Sequence, residues 1–220
     1  MPLTLYAATS NPGKLRDFTV AAAEEGITVE ALPGISDIPA PEEDQPTFAG
    51  NARLKAAYYS RIAADRGNAV LVLADDSGLE VDALHGAPGV RSARYATDAG
   101  FATPGEPNGS AGAGAISTDE RNNLCLLGRM RGIENRSARY HCFLALAREG
   151  EVLLTAEGSI EGEILAAPRG RGGFGYDPLF WLPELKRTMA EISLEEKHTL
   201  SHRGRAFRAL LPQLAALRIS

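Results

Sequence analysis

Residues 69–74 read AVLVLA and run directly into Asp75-Asp76-Ser77-Gly78. An unbroken apolar run of that length, ending in turn formers, suits a central strand buried on both faces of a sheet. The reading predicts that this strand stops at Asp75 and that a short separate strand follows at 80–84. Two acids at the carboxyl end of such a strand fall where open α/β sheets gather their ligands. Paired carboxylates there can hold magnesium, which keeps several waters and takes one or two protein carboxylates. A carboxylate not spent on the metal can serve as a general base toward water. An acidic cap on the following turn is the plainer alternative.

The flanking pattern alternates strands with helices. Residues 3–8 form an apolar run ending at Thr9-Ser10-Asn11-Pro12-Gly13-Lys14, and a helical pattern extends from 14 to about 25. A strand is expected at 27–32, then a Pro- and acid-rich loop through Pro46. Thr47 caps a helix to about residue 66, with Phe48, Ala52, Ala56 and Tyr59 at near-helical spacing. Helix resumes from 118 to 130. Residues 137–148 alternate like a long strand, with 151–158 as its antiparallel neighbour across Glu149-Gly150. A Gly-rich loop spans 170–175, and a last helix begins near Ser201 and is interrupted or bent at Pro212. Antiparallel pairing beside strand-helix units predicts an α/β fold with a mixed sheet. Residues 98–115, rich in Gly, Ala and Pro without periodicity, read as a surface insertion.

The 220 residues are 44% hydrophobic and 23% charged, the composition of a globular protein of one domain. A net charge of −5 argues against nucleic-acid polymers as partners, because phosphate-backbone binding needs a broad basic face. Cys125 and Cys142 are the two cysteines, too few for a disulfide framework. Residues 1–6 do not read as a signal peptide, and no run of roughly 18 apolar residues is present in the sequence. A cytoplasmic protein that makes no use of the membrane is expected.

Four further segments carry chemistry. In Thr9 to Lys14, helix N-terminal amides beside a lysine suit a phosphate group. It is not a P-loop, since Ala8 replaces the first Gly and Leu15 the Ser or Thr that would hold magnesium; a turn with a solvated lysine is the alternative. Glu42-Glu43-Asp44 reads as a solvated loop unless it folds beside Asp76. Lys55, on the next helix with Asn51 and Arg53, is exposed by default or turned toward a phosphate. Gly170 to Pro178 formally satisfies G-x-G-x-x-G, yet it neither follows a clear strand nor opens a helix, so the dinucleotide reading fails. Glycines around Phe174 suggest instead an exposed ring on which a base can stack, or a tight turn with Phe174 in the core. Last, Lys197 precedes Ser201-His202-Arg203-Gly204-Arg205, where Ser201 can cap a helix and His202 and Arg203 can meet polar edges or phosphate. A capped basic helix start is also simply structural.

Taken in order, these segments resemble the inosine triphosphate pyrophosphatase family, the XTP/dITP diphosphatases. The resemblance runs from residue 5 to about 208 through TSNPGK at 9–14, ADDSGLEVDALHGAPGVRSARY at 74–95, GGFGYDPLF at 172–180 and SHRG at 201–204. It implies an elongated mixed β-sheet flanked by helices, in two lobes with a central nucleotide-binding cleft. It also implies a homodimer that hydrolyses a small-molecule purine nucleoside triphosphate with Mg2+. By motif, Thr9, Ser10, Asn11, Pro12, Gly13 and Lys14 would hold the triphosphate. Asp76 would be catalytic acid and metal ligand, with Asp75 beside it and Ser77 on the substrate. Glu42 would be the second metal ligand, although three acids in a row leave its register open. Lys55 would face phosphate, and Phe174, Gly175, Tyr176, Asp177, Lys197, His202 and Arg203 would lie on the base side. The chain departs from the pattern at Gly50, where many relatives carry an acid, and in a 98–115 segment longer and more Gly-rich than in short relatives.

Overall fold

A computed structural model describes residues 3–23, 25–102 and 116–217. Its elements are β1 (Thr4–Ala7), α1 (Pro12–Ala23), β2 (Thr28–Ala31), α2 (Phe48–Asp65), β3 (Val72–Val81), α3 (Tyr95–Asp98), α4 (Thr118–Arg129), β4 (Ser137–Arg148), β5 (Glu151–Ile164), β6 (Phe180–Leu182), β7 (Arg187–Thr188), α5 (Leu194–Leu200) and α6 (His202–Ala216). The strands pair in the order β2-β1-β3-β4-β5-β6-β7. β1 runs parallel to β2, in register from Thr4↔Thr28 to Ala7↔Ala31, and parallel to β3 at Tyr6↔Val72. Parallel neighbours need crossovers, which α1 and α2 supply. β5–β6 and β6–β7 are antiparallel. The sheet is therefore mixed and the fold α/β, as the alternation of patterns predicts.

The chain divides into two compact units. The first comprises residues 1–77, 140–160 and 193–220; the second comprises 78–139 and 161–192. In the first, Leu5 and Ala7 of β1, Phe18, Ala21 and Ala22 of α1, Leu73 of β3 and Phe207, Leu210 and Leu214 of α6 share one buried cluster. Leu144 and Leu146 of β4 belong to it as well. In the second, Leu79, Leu126, Met130, Ile164, Leu179 and Phe180 are each fully buried.

Local chemistry accounts for the boundaries. Thr47 caps α2 by accepting the Gly50 N–H, and Phe48, Ala52, Ala56 and Tyr59 are its buried stripe. Glu149 and Gly150, at φ 53° and 86°, provide the two left-handed residues that a two-residue β4–β5 turn demands. β5 then continues to Ile164, past the expected end at 158.

Three expectations change. β3 does not end at Asp75: it passes through both acids to Val81, so no separate strand exists at 80–84, and residues 82–84 form a 3-10 turn. Acids read as strand terminators only when their counter-charges are invisible, and here both are paired inside the fold. Pro212 lies within α6, which runs on to Ala216, so of the two alternatives, interruption or bend, the interruption is ruled out. α5 was not anticipated, although Ser193 and Glu196 form the reciprocal capping box that marks such a start. Of the 98–115 insertion, residues 103–115 lie outside the described residues.

Candidate active site

Period-two alternation along β3 sends Asp75 and Asp76 to opposite faces of the sheet, and each face supplies its own cations. On one side, Lys14 Nζ of α1 lies 3.0 Å from Asp75 Oδ2. Ser77, two residues on and so on the same face, donates to Asp75 Oδ2 at 2.7 Å and accepts from Arg203 Nη2 at 2.8 Å. Arg203, at the head of α6, also pairs with Asp17 of α1 at 3.3 Å. On the other side, Asp76 Oδ1 accepts from Lys55 Nζ at 3.1 Å and Asp76 Oδ2 from Asn51 Nδ2 at 3.1 Å, both from α2. Lys55 reaches Glu43 Oε2 at 2.9 Å as well.

Lys14 thus pairs with Asp75 rather than facing Asp76 directly, because neighbouring strand residues cannot point the same way. Glu43, not Glu42, joins the group: Glu42 is exposed, while Glu43 is half-buried against Lys55. Lys55 is buried, against the default of exposure. Asn51 and Asp17 carry interactions that the motif reading did not assign. Their spacing offered a signal, since Asn51 lies four residues before Lys55 and Asp17 three after Lys14, each pair on one helical face.

The two acids are driven apart in ionisation. Burial alone would raise Asp75, but Lys14, Arg203 and Lys55, with the Ser77 hydrogen bond, pull it well below the usual carboxylate range. At Asp76 burial prevails over Lys55, Asn51 and Lys14, and its pKa is raised. Burial would depress the Lys55 ammonium, yet Asp76, Asp75 and Glu43 more than reverse this, keeping it cationic. Neighbouring carboxylates with opposite shifts are the arrangement by which a fold separates an electrostatic anchor from a proton acceptor.

The loop before α1 differs from the expected phosphate cradle. Asn11 Oδ1 accepts from the N–H groups of Gly13 at 2.8 Å and Lys14 at 3.1 Å, and Thr9 Oγ1 accepts from Asn11 N–H at 3.1 Å. Pro12 has no N–H to give. The amides of Gly13 and Lys14 are thus capped from within by Asn11, while Ser10 is exposed.

In the same unit His202 is buried and stacks on Tyr140, ring centroids 4.8 Å apart and 13° from parallel. Burial, with Arg203 and Lys197 nearby, holds its pKa well below the ordinary value. The folded state therefore refuses a proton that the unfolded chain accepts near pH 6.5. Stability from this group is full above that pH and is lost as pH falls below it. At pH 5.5 the wild-type chain should lose about 1.4 kcal/mol more, relative to pH 7.5, than His202→Phe, which keeps a ring on Tyr140. Chemical denaturation at the two pH values reads this, and equal losses would withdraw the neutral buried imidazole. Lys197, on α5, is buried too.

Phe174 to Asp177 belong to the second unit. Phe174 is half-buried, between the two alternatives drawn from the sequence. Tyr176 is buried with its hydroxyl donating to Ser92 O at 2.8 Å, and Asp177 Oδ2 accepts from Phe174 N–H at 2.9 Å. Tyr176 and Asp177 thus build the turn, leaving Phe174 as its candidate ligand-facing ring.

Gly50 has a local reason. A Cβ there would stand 2.7 Å from Gln45 Cβ, so an acid in its place would displace the loop that carries Glu43.

The pattern of the Ham1 family matches residues 5–213. The chain belongs to the Ham1 family. Among its Ham1 relatives, a dITP/XTP pyrophosphatase of Acidobacterium capsulatum is 58% identical over 214 residues, 97% of this chain and 99% of that one. A dITP/XTP pyrophosphatase of Exiguobacterium sp. is 45% identical over 94% of this chain and 95% of its own length. A HAM1 protein from Coxiella burnetii superposes with a TM-score of 0.76 at 34% identity, covering 98% of this chain and all of that one. The Staphylococcus aureus Ham1 protein gives 0.73 at 34% identity, over 97% and 98% of the two chains. The motif resemblance is thereby established as family membership. Among the described residues of this Ham1 chain, no helix is long and apolar enough to cross a membrane.

Proposed function

We propose that this chain hydrolyses non-standard purine nucleoside triphosphates, ITP, dITP and XTP, to the monophosphate and pyrophosphate. The observation that carries the reading is the pair of adjacent carboxylates on β3, each held by its own lysine and shifted in opposite directions in pKa. Relatives named dITP/XTP pyrophosphatases, matching nearly end to end, support the substrate class.

The donor set fits magnesium. Asp76 and Glu43 already converge on one cation, the Lys55 ammonium, at 3.1 and 2.9 Å. Two hard oxygen donors beside open coordination for water and phosphate are what this ion takes. Magnesium, when bound by Asp76 and Glu43, supplies charge neutralisation on phosphate oxygens and lowers the pKa of water. Asp76 orients and deprotonates the water that attacks the α-phosphorus. Lys14 and Lys55 offset charge on the departing pyrophosphate, an electrostatic role whose strength comes from being fixed in advance. Asp75 stays ionised and holds Lys14 and Arg203 in place. In the second unit Phe174 offers a stacking face for the base; in the first, His202, kept neutral, and Arg203 offer polar groups to the substrate.

A 6-oxo acceptor in hypoxanthine or xanthine, against a 6-amino donor in adenine, lets one buried N–H discriminate by orders of magnitude. The reading includes a homodimer, carried by the family resemblance and checked by light scattering. It also includes a cytoplasmic setting, supported by two buried free cysteines.

A hydrolysis panel of ITP, XTP, dITP, GTP, ATP and a modified pyrimidine triphosphate, with and without magnesium, tests the proposal. ITP, XTP and dITP should exceed ATP by about a hundredfold in kcat/KM and yield pyrophosphate. Orthophosphate as product, equal use of ATP, preference for the pyrimidine, or binding without turnover would each overturn it.

A further inference from the structure

The turn that presents Phe174 is held by a helix that no motif reading assigned to the site. Gly175 adopts φ +62°, a left-handed conformation costly for any residue with a Cβ. Both of its backbone polar groups are held by α4: the Gly175 N–H donates to Asp119 Oδ2 at 2.7 Å, and its carbonyl accepts from Asn123 Nδ2 at 3.0 Å. Asp119 and Asn123 are four residues apart and share one helical face. The first bond is short and charge-assisted, the stronger kind. Asn122, beside Asn123, donates to Ser92 O at 3.3 Å, the same carbonyl that takes the Tyr176 hydroxyl. The backbone on both sides of residue 175 is therefore indexed to α4, whose own start is fixed by Ser117 capping Glu120 N–H.

The Asn123 orientation is decided by this contact, because reversing its amide would set oxygen against the Gly175 carbonyl. A carboxylate in the first turn of α4 is also where the helix dipole favours a negative charge. Neither residue carries the acid-base or phosphate chemistry assigned to the first unit.

We infer that Asp119 and Asn123 are positioning residues for base recognition, fixing the Phe174 ring that stacks the purine and setting affinity for the base without altering the chemical step. The inference rests on the proposed function and adds the elements that tune its base side. Stacking contributes enough that misdirecting the ring has a measurable cost.

The test compares wild type, Asp119→Ala, Asp119→Asn and Asn123→Ala in the full chain. It measures kcat and KM for ITP, and inhibition by inorganic tripolyphosphate, a probe with phosphates but no base. Asp119→Ala should raise KM about tenfold with kcat within about twofold and tripolyphosphate inhibition unchanged. Asn123→Ala should do the same to a smaller degree. Asp119→Asn, which keeps an acceptor oxygen, should recover most of the loss. Unchanged KM in an active background overturns this inference alone. A joint fall in kcat and weakening of tripolyphosphate also overturns it, by making the residues structural. A wild-type chain that does not turn over ITP removes the enzymatic reading itself, and this one with it.

Discussion

Asp76→Asn lowers ITP turnover by about a hundredfold or more, the usual loss when a general base is removed. The substitution is nearly isosteric and its consequences can be separated. Asparagine cannot accept the proton of an attacking water and brings no charge to a metal. The Lys55 ammonium is not orphaned, because Glu43 remains 2.9 Å away, so the large penalty for an unpaired buried charge is avoided. The fold should survive with a modestly lower melting temperature. Asp75→Asn behaves differently: it removes the anion shared by Lys14, Ser77 and Arg203, so stability suffers along with activity. Steady-state kinetics beside thermal melts of both variants make the comparison. Near-normal turnover in Asp76→Asn would remove this carboxylate from the mechanism.

Gly204→Ala destabilises the chain by about 3 kcal/mol or more, at or beyond the upper end of overpacking effects. A Cβ at 204 would collide with the His198 carbonyl oxygen and stand 2.8 Å from its carbon. Both atoms belong to the backbone of α5, so no side chain can swing aside; one helix must move. The junction is tight because Ser201 closes α5 and caps α6 at once, accepting the Gly204 N–H at 3.2 Å. Displacing α6 would also carry Arg203 away from Ser77, so activity should fall with stability. Gly128→Ala is the control: its added Cβ meets nothing within 4 Å inside α4, and alanine should add roughly 0.5 kcal/mol there. Denaturant midpoints for the two variants decide the matter, and a tolerated Gly204→Ala would show that the α5–α6 junction yields.

The glycine of the SHRG motif is thus explained by packing, whereas the acids of ADDSG are explained by charge. The motif alone could not tell these apart. Thr47, Ser117, Ser193 and Ser201 illustrate what was readable locally. Each is a short polar residue before a helical pattern and each caps its helix as such residues should. The β3 boundary shows the limit. Two consecutive acids end a strand on any local reading, yet here they lie inside one because lysines from α1 and α2 neutralise them. The choice between Glu42 and Glu43 had the same character, since three acids in a row carry no register until one of them finds Lys55.

By itself the sequence determined the alternation of strands and helices, the mixed α/β class, the family and the residue types that can handle a triphosphate. Periodicity, caps and motif spacing are local properties and need no partner to be read. Only the tertiary structure decided which lysine serves which acid, that Asp75 is the anchored anion and Asp76 the acid with the raised pKa, and that Asn11 closes its own helix start. Those outcomes depend on the face by which each side chain leaves β3, and on charges brought to that face from distant stretches of chain. Electrostatic energy depends on distance through space, and residues 14 and 203 meet Asp75, and residue 55 meets Asp76, only when the chain is folded.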